Sequence, residues 1–277
     1  MPDFAGKTVV ITGGGTGLGR AMARHFASLG AHAVVAGRRE EPLAQTVAEI
    51  AATGGRARSI PTDVRDPDQV RRLVERVVAD HGRVDCLVNN AAGNFICPTK
   101  DLTPGGWNAV VNIVLNGTFY CSHAAGGAMI ADGKGGSILN IVASYAWTGG
   151  PGTVHSAAAK AGVVSLTQTL AAEWGGYGIR TNALSPGIVN TPGSAERLFP
   201  TEEMRALLER RVPLRRLGTE DEVARAAAFL LSDDAAYING AVLVADGGLW
   251  LNPGLFALYE QGAGARPPRE VQRRNQE

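Results

Sequence analysis

Three side chains in one short stretch of the chain have the types and spacing needed for proton-transfer or oxyanion chemistry. Ser156 and Lys160 are four residues apart in the Ala-rich segment 156–174, so on a helix they share one face. Tyr145 precedes them, after the apolar run 137–142. A phenol with a pKa of about 10 is a far stronger acid than an aliphatic hydroxyl. The pattern predicts a strand, a loop and a helix that bring a phenol, a hydroxyl and an ammonium group to one ligand.

The elements that must position these side chains alternate regularly along the chain. Strands are predicted at 8–11, 33–36, 57–60, 86–88, 137–142 and 241–244, with a further strand ending in 182–187, and helices at 20–29, 42–53, 69–81 and 156–174. Such alternation predicts an α/β fold with a doubly wound parallel sheet, the Rossmann fold.

The length suits one large domain, because 277 residues with 45% apolar side chains can fill a single core. We expect one dinucleotide-binding domain over residues 1–261, with a substrate flap near 190–216. The Pro-, Gly- and Arg-rich tail 262–277 is expected to be disordered.

Composition argues against several classes of protein. A net charge of +1 does not favour a nucleic-acid partner, and no apolar stretch is long enough to span a membrane. The N-terminus lacks a signal-peptide core, so a cytoplasmic location is expected. Cys86, Cys97 and Cys121 have no CxxC spacing, which predicts three buried thiols and no metal site.

A Gly-rich turn, TGGGTGLG at residues 12–19, follows the first strand and opens the first helix. This is the context that a dinucleotide fingerprint requires, since glycines let the backbone approach a pyrophosphate at a helix N-terminus. After the second strand, where an acidic residue would hold a ribose 2′-hydroxyl, the chain has Gly37, Arg38 and Arg39. Guanidinium groups suit a 2′-phosphate, which favours NADPH. The alternative is that these are solvated arginines neutralised by Glu40 and Glu41.

The chain resembles the short-chain dehydrogenase/reductase family in its TGxxxGxG spacing and in the NNA motif that begins at Asn89. Common members carry Ser, Tyr and Lys at the positions of Ala143, Ser156 and Lys160, and an active-site Asn at Val114. Two of the three catalytic types are therefore changed, while a phenol is present at Tyr145. The alternative to a displaced acid is a degenerate, inactive site.

Within that family the chain is similar, from about residue 8 to about residue 250, to NADPH-dependent 2,4-dienoyl-CoA reductases. The motifs are NNAAGNF at 89–95, SYAWTG at 144–149 and HSAAAKAG at 155–162. The resemblance implies reduction of a 2,4-dienoyl-CoA thioester to a 3-enoyl-CoA, an auxiliary step of fatty-acid β-oxidation. It also implies a homotetramer.

The resemblance assigns roles to individual residues. Asn94 and Tyr145 would bind the thioester carbonyl oxygen, Ser156 would orient them, and Lys160 would hold the nicotinamide ribose. The expected cofactor contacts are Gly13, Gly15, Thr16, Gly17, Leu18, Gly19, Arg38, Asp63, Asn90, Lys160, Pro186, Gly187, Ile188 and Val189. The expected substrate contacts are Arg65, Phe95, Thr103, which replaces a usual Ser, and Arg197. His155 has no paired carboxylate in the pattern, so a hydrogen-bonded structural role is expected.

Other functions stay open at this stage. One is a carbonyl or alcohol oxidoreductase, such as a 3-oxoacyl thioester reductase, with Tyr145 as the acid. Another is a non-catalytic NADPH-binding protein, against which the presence of Tyr145 and Lys160 argues. The arginines between 205 and 216 suit CoA phosphates, but the interleaved glutamates at 202, 203 and 209 suit a solvated helix equally well.

Overall fold

The predicted sheet is present and consists of seven parallel strands in the computed structural model, which describes residues 2–191 and 201–251. The strands are Thr8–Thr12 (β1), His32–Gly37 (β2), Arg56–Pro61 (β3), Cys86–Asn89 (β4), Gly136–Ile141 (β5), Ile179–Pro186 (β6) and Val242–Ala245 (β7). The order across the sheet is β3-β2-β1-β4-β5-β6-β7. The doubly wound α/β prediction is confirmed.

Helices cover both faces of this sheet. They are Gly17–Ser28 (α1), Glu40–Ala52 (α2), Pro67–His81 (α3), Pro104–Val111 (α4), Gly117–Asp132 (α5), Tyr145–Thr148 (α6), Val154–Trp174 (α7), Glu202–Arg211 (α8) and Glu220–Leu231 (α9). A π-helical turn, Asn112–Asn116, joins α4 to α5.

Successive residues of a buried strand pack on opposite faces of the sheet, in different parts of the hydrophobic core. Val9 and Ile11 of β1 pack with α1 and α9, whereas Val10 packs with α3 and α5. Because side chains alternate across a strand, a fully apolar run is buried on both faces of a parallel sheet. The chain reverses direction across the sheet between β1 and β4, which leaves a crevice at their carboxyl ends, where ligands bind in such folds.

The segment predicted as a loop after β5 contains a short helix, because β5 ends at Ile141 and Tyr145 begins helix α6. One of the three thiols differs from the prediction. Cys97 is half-buried, unlike the buried Cys86 and Cys121. The reason is its position in a loop, held by a hydrogen bond from its amide to the carbonyl of Gly152.

Two predictions concern residues outside the described part of the chain, namely Arg197 and the tail 262–277. Of the proposed flap, residues 190–191 and 201–216 are described, and the second range contains helix α8. No helix within the described residues is long and apolar enough to cross a membrane.

Candidate active site

A cavity of about 750 Å³ at the carboxyl ends of the strands gathers most of the predicted cofactor residues. Its lining includes Gly13, Gly15, Thr16, Gly17, Leu18, Arg38, Asp63, Asn90, Tyr145, Lys160, Pro186, Gly187, Ile188 and Val189. Residues that are far apart in sequence therefore meet at the crevice. The predicted residues Gly19, Arg65, Asn94, Phe95, Thr103 and Ser156 are not part of this lining.

The glycine turn has the shape of a phosphate cradle. Gly17 begins α1 with a φ of 51°, and a Cβ there would meet only Glu220, at 3.9 Å. A Cβ on Gly19 would lie 2.2 Å from the carbonyl oxygen of Gly13, so this glycine is needed for close packing of α1 on the turn. The open backbone at a helix N-terminus fits the pyrophosphate of a dinucleotide.

The cavity has a positive group at the end of β2. Arg38 is exposed, lines the cavity and forms no hydrogen bond or ion pair with Glu40 or Glu41 in the described part of the chain. Asp63 accepts three hydrogen bonds from the Arg65 guanidinium, which lower the pKa of this carboxyl, with a smaller contribution from Arg38. Arg65, expected at the substrate, therefore lies beside the residue expected at the adenine.

The predicted phenol and hydroxyl are in direct contact. The hydroxyls of Tyr145 and Ser156 are 3.0 Å apart, and either can donate. Ser156, on α7, is only 1% exposed, whereas Tyr145 is half-buried and reaches the cavity. The buried hydroxyl thus fixes a phenol whose acidic group stays accessible to a ligand.

Lys160 lies on the next turn of α7, where it is 6% exposed and donates a hydrogen bond to the main-chain oxygen of Ile141 at the end of β5. Burial lowers the pKa of its ammonium group to about 8. At neutral pH the group is therefore still mostly charged. It places a positive charge in the wall of the cavity, within one helical turn of Ser156.

Asn94 lies outside the cavity lining, in the exposed loop after β4. Its side-chain oxygen accepts a hydrogen bond from the amide of Phe95, which leaves the –NH₂ group without a partner among the described residues. The Phe95 ring packs edge to face on His155, with ring centroids 4.5 Å apart. This contact and the hydrogen bond between Cys97 and Gly152 hold the Asn94 loop against the start of α7.

His155 corrects a sequence prediction. It is fully buried, as expected of a structural histidine, but neither ring nitrogen has a hydrogen-bond partner within residues 2–191 and 201–251. Phe95 covers the ring with carbon atoms, and the sequence pattern contained no signal for this contact.

Replacing His155 with Phe is expected to stabilise the protein, because a buried unpaired polar group costs about 1–3 kcal/mol. The edge-to-face contact with Phe95 is retained, so the melting temperature should rise by several degrees in calorimetry. His155→Gln, which keeps unpaired polar atoms, is the matched control and should give no gain. A fall in the melting temperature of His155→Phe would contradict this account.

Two further predicted positions have structural roles. Thr103 is the N-cap of α4, where its hydroxyl oxygen accepts a hydrogen bond from the amide of Gly106. Val114, the position of the family's usual Asn, is buried inside the π-helical turn. Such turns occur often at functional sites.

Two arginines of the 205–216 cluster form ion pairs with nearby glutamates. Arg205 pairs with Glu209, and Arg216 pairs with Glu222.

Several residues of the cavity wall were missed from the sequence. They are Thr62, Val64, Ala91, Ala92, Ile113, Ile141, Val142, Ser144, Thr191 and Leu249, together with Pro42, Leu43 and Ala143. Most of these residues are small or apolar, and such residue types form no recognisable sequence motif. For Leu249 the preceding DGG turn was the available signal.

No group of three or more His, Cys, Asp or Glu side chains in the described part of the chain could hold a metal ion.

Comparison with known proteins gives a consistent set of relatives. A family model described as enoyl-(acyl carrier protein) reductase matches residues 13–250. A Bacillus subtilis (strain 168) protein named "Probable 2,4-dienoyl-CoA reductase", (2E)-enoyl-CoA-producing, is 54% identical over 248 residues, which are 89% of this chain and 98% of that protein. A Caenorhabditis elegans protein named as a probable (3E)-enoyl-CoA-producing 2,4-dienoyl-CoA reductase is 43% identical over 250 residues, covering 88% and 81% of the two chains.

Two solved structures are also similar to this chain. A short-chain dehydrogenase from Bacillus anthracis is 48% identical with a TM-score of 0.81, covering 88% of this chain and 96% of that chain. A proposed NAD(P)-dependent gluconate 5-dehydrogenase from Beutenbergia cavernae, with NADP bound, is 37% identical with a TM-score of 0.84, covering 90% and 98%.

Proposed function

Because the chain belongs to the short-chain dehydrogenase/reductase family, we propose that it is an NADPH-dependent reductase of 2,4-dienoyl-CoA thioesters that yields a 3-enoyl-CoA in fatty-acid β-oxidation. The observation that carries the proposal is the contact of 3.0 Å between the hydroxyls of Tyr145 and Ser156. It places a phenol on α6, in contact with the position that holds the Tyr acid of carbonyl reductases in the family. The names of the similar proteins support the substrate class.

The site has the donors that this reaction needs. When bound, NADPH supplies a hydride to the far end of the conjugated system, and negative charge develops on the thioester oxygen. The Tyr145 hydroxyl, oriented by Ser156, and the free –NH₂ of Asn94 would donate hydrogen bonds to that oxygen. Lys160 adds a buried positive charge nearby. Protonation at carbon is left to solvent, so no acid is needed at position 156.

The proposal is tested by following NADPH oxidation with a 2,4-dienoyl-CoA and a 3-oxoacyl-CoA of equal chain length. We expect turnover of the dienoyl thioester only. Faster turnover of the 3-oxoacyl thioester would favour a carbonyl reductase in which Tyr145 is the acid. Tight NADPH binding without turnover of either thioester would favour a non-catalytic NADPH-binding protein.

NADPH is expected to bind at least about tenfold more tightly than NADH. The reason is that Arg38 lines the cavity and forms no ion pair with a carboxylate within residues 2–191 and 201–251, and one phosphate–guanidinium pair should contribute more than about 1.4 kcal/mol. Titration of wild type and Arg38→Ala with both cofactors checks this. Equal affinities in wild type, or an unchanged preference in the variant, would remove Arg38 from the assignment.

A homotetramer is expected in solution. The face of α7 that does not meet the cavity exposes Ala158, Ala161, Ser165 and Ala172, whose small side chains allow another helix to approach closely. Light scattering at micromolar concentration measures the mass directly. A monomer under those conditions would refute the tetramer.

We also propose a cytoplasmic location for the protein, which cell fractionation would check.

A further inference from the structure

Two partly exposed tryptophans, one of them on the helix of the catalytic phenol, are in contact. Trp147 is on α6, two residues after Tyr145, and is 40% exposed, while Trp250 is 38% exposed in the 3-10 turn Leu249–Leu251. Their rings meet edge to face, with centroids 5.9 Å apart and an interplanar angle of 89°. The pair therefore joins α6 to the last described turn of the chain.

Tyr145 and Leu249, the near sequence neighbours of the two tryptophans, both line the cavity, although neither tryptophan belongs to that lining. The aromatic pair is therefore adjacent along the chain to the cavity wall. Leu251, the residue after Trp250, is 66% exposed. Neither Trp147, Trp250 nor Leu251 carries a charge, so the surface suits a hydrocarbon and not the phosphates of CoA. Exposed apolar patches beside a cavity are typical of ligand-binding surfaces.

Trp250 lies on the side of the site where the nicotinamide is expected. A Cβ on Gly187 would be 2.6 Å from Cα of Asp246, so the turn that leads to Trp250 packs directly on the stretch expected to contact the nicotinamide. Asp246 also accepts a hydrogen bond from the amide of Trp250, at 2.8 Å, which fixes the indole-bearing residue there. Asn94, by contrast, lies on the loop held against Gly152.

A dienoyl thioester has a fixed direction between these two ends. Its carbonyl oxygen must reach Tyr145 and Asn94, and its C5 must reach the hydride donor. The acyl chain beyond C5 therefore leaves the site on the side of Trp250, while CoA leaves it from the carbonyl end.

We propose that Trp147 and Trp250 form the wall that binds the acyl chain beyond C5 and so determine the preference for chain length. This inference rests on the proposed function for the direction of the substrate. The contact area grows with each methylene group, so longer acyl chains gain more from the wall until it is covered.

The kinetic test compares 2,4-hexadienoyl-, octadienoyl- and decadienoyl-CoA. In wild type, kcat/KM should rise about fourfold for each methylene group that contacts the wall. Trp147→Ala and Trp250→Ala should each lose at least about tenfold on decadienoyl-CoA and less than about threefold on hexadienoyl-CoA. Tyr177→Ala is the control, since this 55%-exposed aromatic residue lies beyond the far end of α7. A parallel loss on all three substrates in both tryptophan variants would overturn the inference.

A binding measurement separates this inference from the proposed function. The NADP⁺-loaded enzyme is titrated calorimetrically with saturated butyryl-CoA and decanoyl-CoA. Tighter binding of decanoyl-CoA that is lost in both tryptophan variants supports the wall, even if wild type reduces no dienoyl thioester and the proposed function fails. Equal affinity for the two lengths, or an undiminished preference in the variants, contradicts it. So does a change of molecular mass in the variants with chain-length preference intact, which would make the surface a subunit contact.

Discussion

Replacing Tyr145 with Phe is expected to lower kcat for a 2,4-dienoyl-CoA by about 10² to 10³, the effect of removing one oxyanion donor. The substitution deletes only the hydroxyl that contacts Ser156 at 3.0 Å and keeps the ring. NADPH affinity should stay nearly unchanged, because the interaction is made with the charge that develops during the reaction. Steady-state kinetics and NADPH titration of the purified variant measure both quantities.

Ser156→Ala is the matched control for Tyr145→Phe. It removes the other hydroxyl of the same hydrogen bond, but Ser156 is 1% exposed and lies outside the cavity lining, so it acts on the substrate only through Tyr145. Its loss should therefore cost less than the loss of the phenol. If Ser156→Ala abolished activity while Tyr145→Phe kept it, the displaced-phenol account would be wrong.

Replacing Lys160 with Met is expected to weaken NADPH binding about 10- to 100-fold, since a hydrogen bond from a charged group contributes about 1.5–3 kcal/mol. The rate should fall as well, by at least about tenfold, because a positive charge is lost from the wall of the cavity that Tyr145 also lines. Titration with NADPH and single-turnover kinetics at saturating cofactor separate the two effects. Lys134→Met, which removes an exposed lysine after α5, should change neither.

The same variant should be more stable than wild type at pH 7. The pKa of Lys160 is about 8 in the folded protein against 10.5 for an ordinary lysine, because burial disfavours the charge. Between these values the unfolded chain binds more protons, so the free energy of unfolding of wild type should rise with pH from about 8 to about 10.5. Below pH 8 the full cost of the buried charge remains. Denaturant titrations of the cofactor-free protein should show this rise in wild type and a smaller one in Lys160→Met, and lower stability of the variant at pH 7 would contradict it.

The sheet and the cofactor turn could be predicted because their signals are local and repeated. A strand such as β1 is a continuous apolar run, and the glycines at 13, 17 and 19 follow it directly, so strand, turn and helix are specified within a few residues. The spacing of Ser156 and Lys160 on one helix face was confirmed by the burial of both side chains.

Other parts of the site depend on contacts that no local pattern encodes. Helix α6 has four residues, too few to show helical periodicity, so the sequence predicted only a loop around Tyr145. His155 is covered by Phe95, and Trp147 meets Trp250, through tertiary packing between distant segments.

The central claim is that this site adds hydride to the diene of a conjugated thioester and leaves the carbonyl intact. Its most direct test uses NADPH deuterated at the transferred position, a 2,4-dienoyl-CoA in ordinary water, and NMR of the product. The account predicts deuterium at C5, a solvent hydrogen at C2 and an unreduced thioester, which is a 3-enoyl-CoA. Failure of the dienoyl thioester to take up deuterium, while a 3-oxoacyl-CoA takes it up at C3 to give a 3-hydroxyacyl thioester, would contradict it.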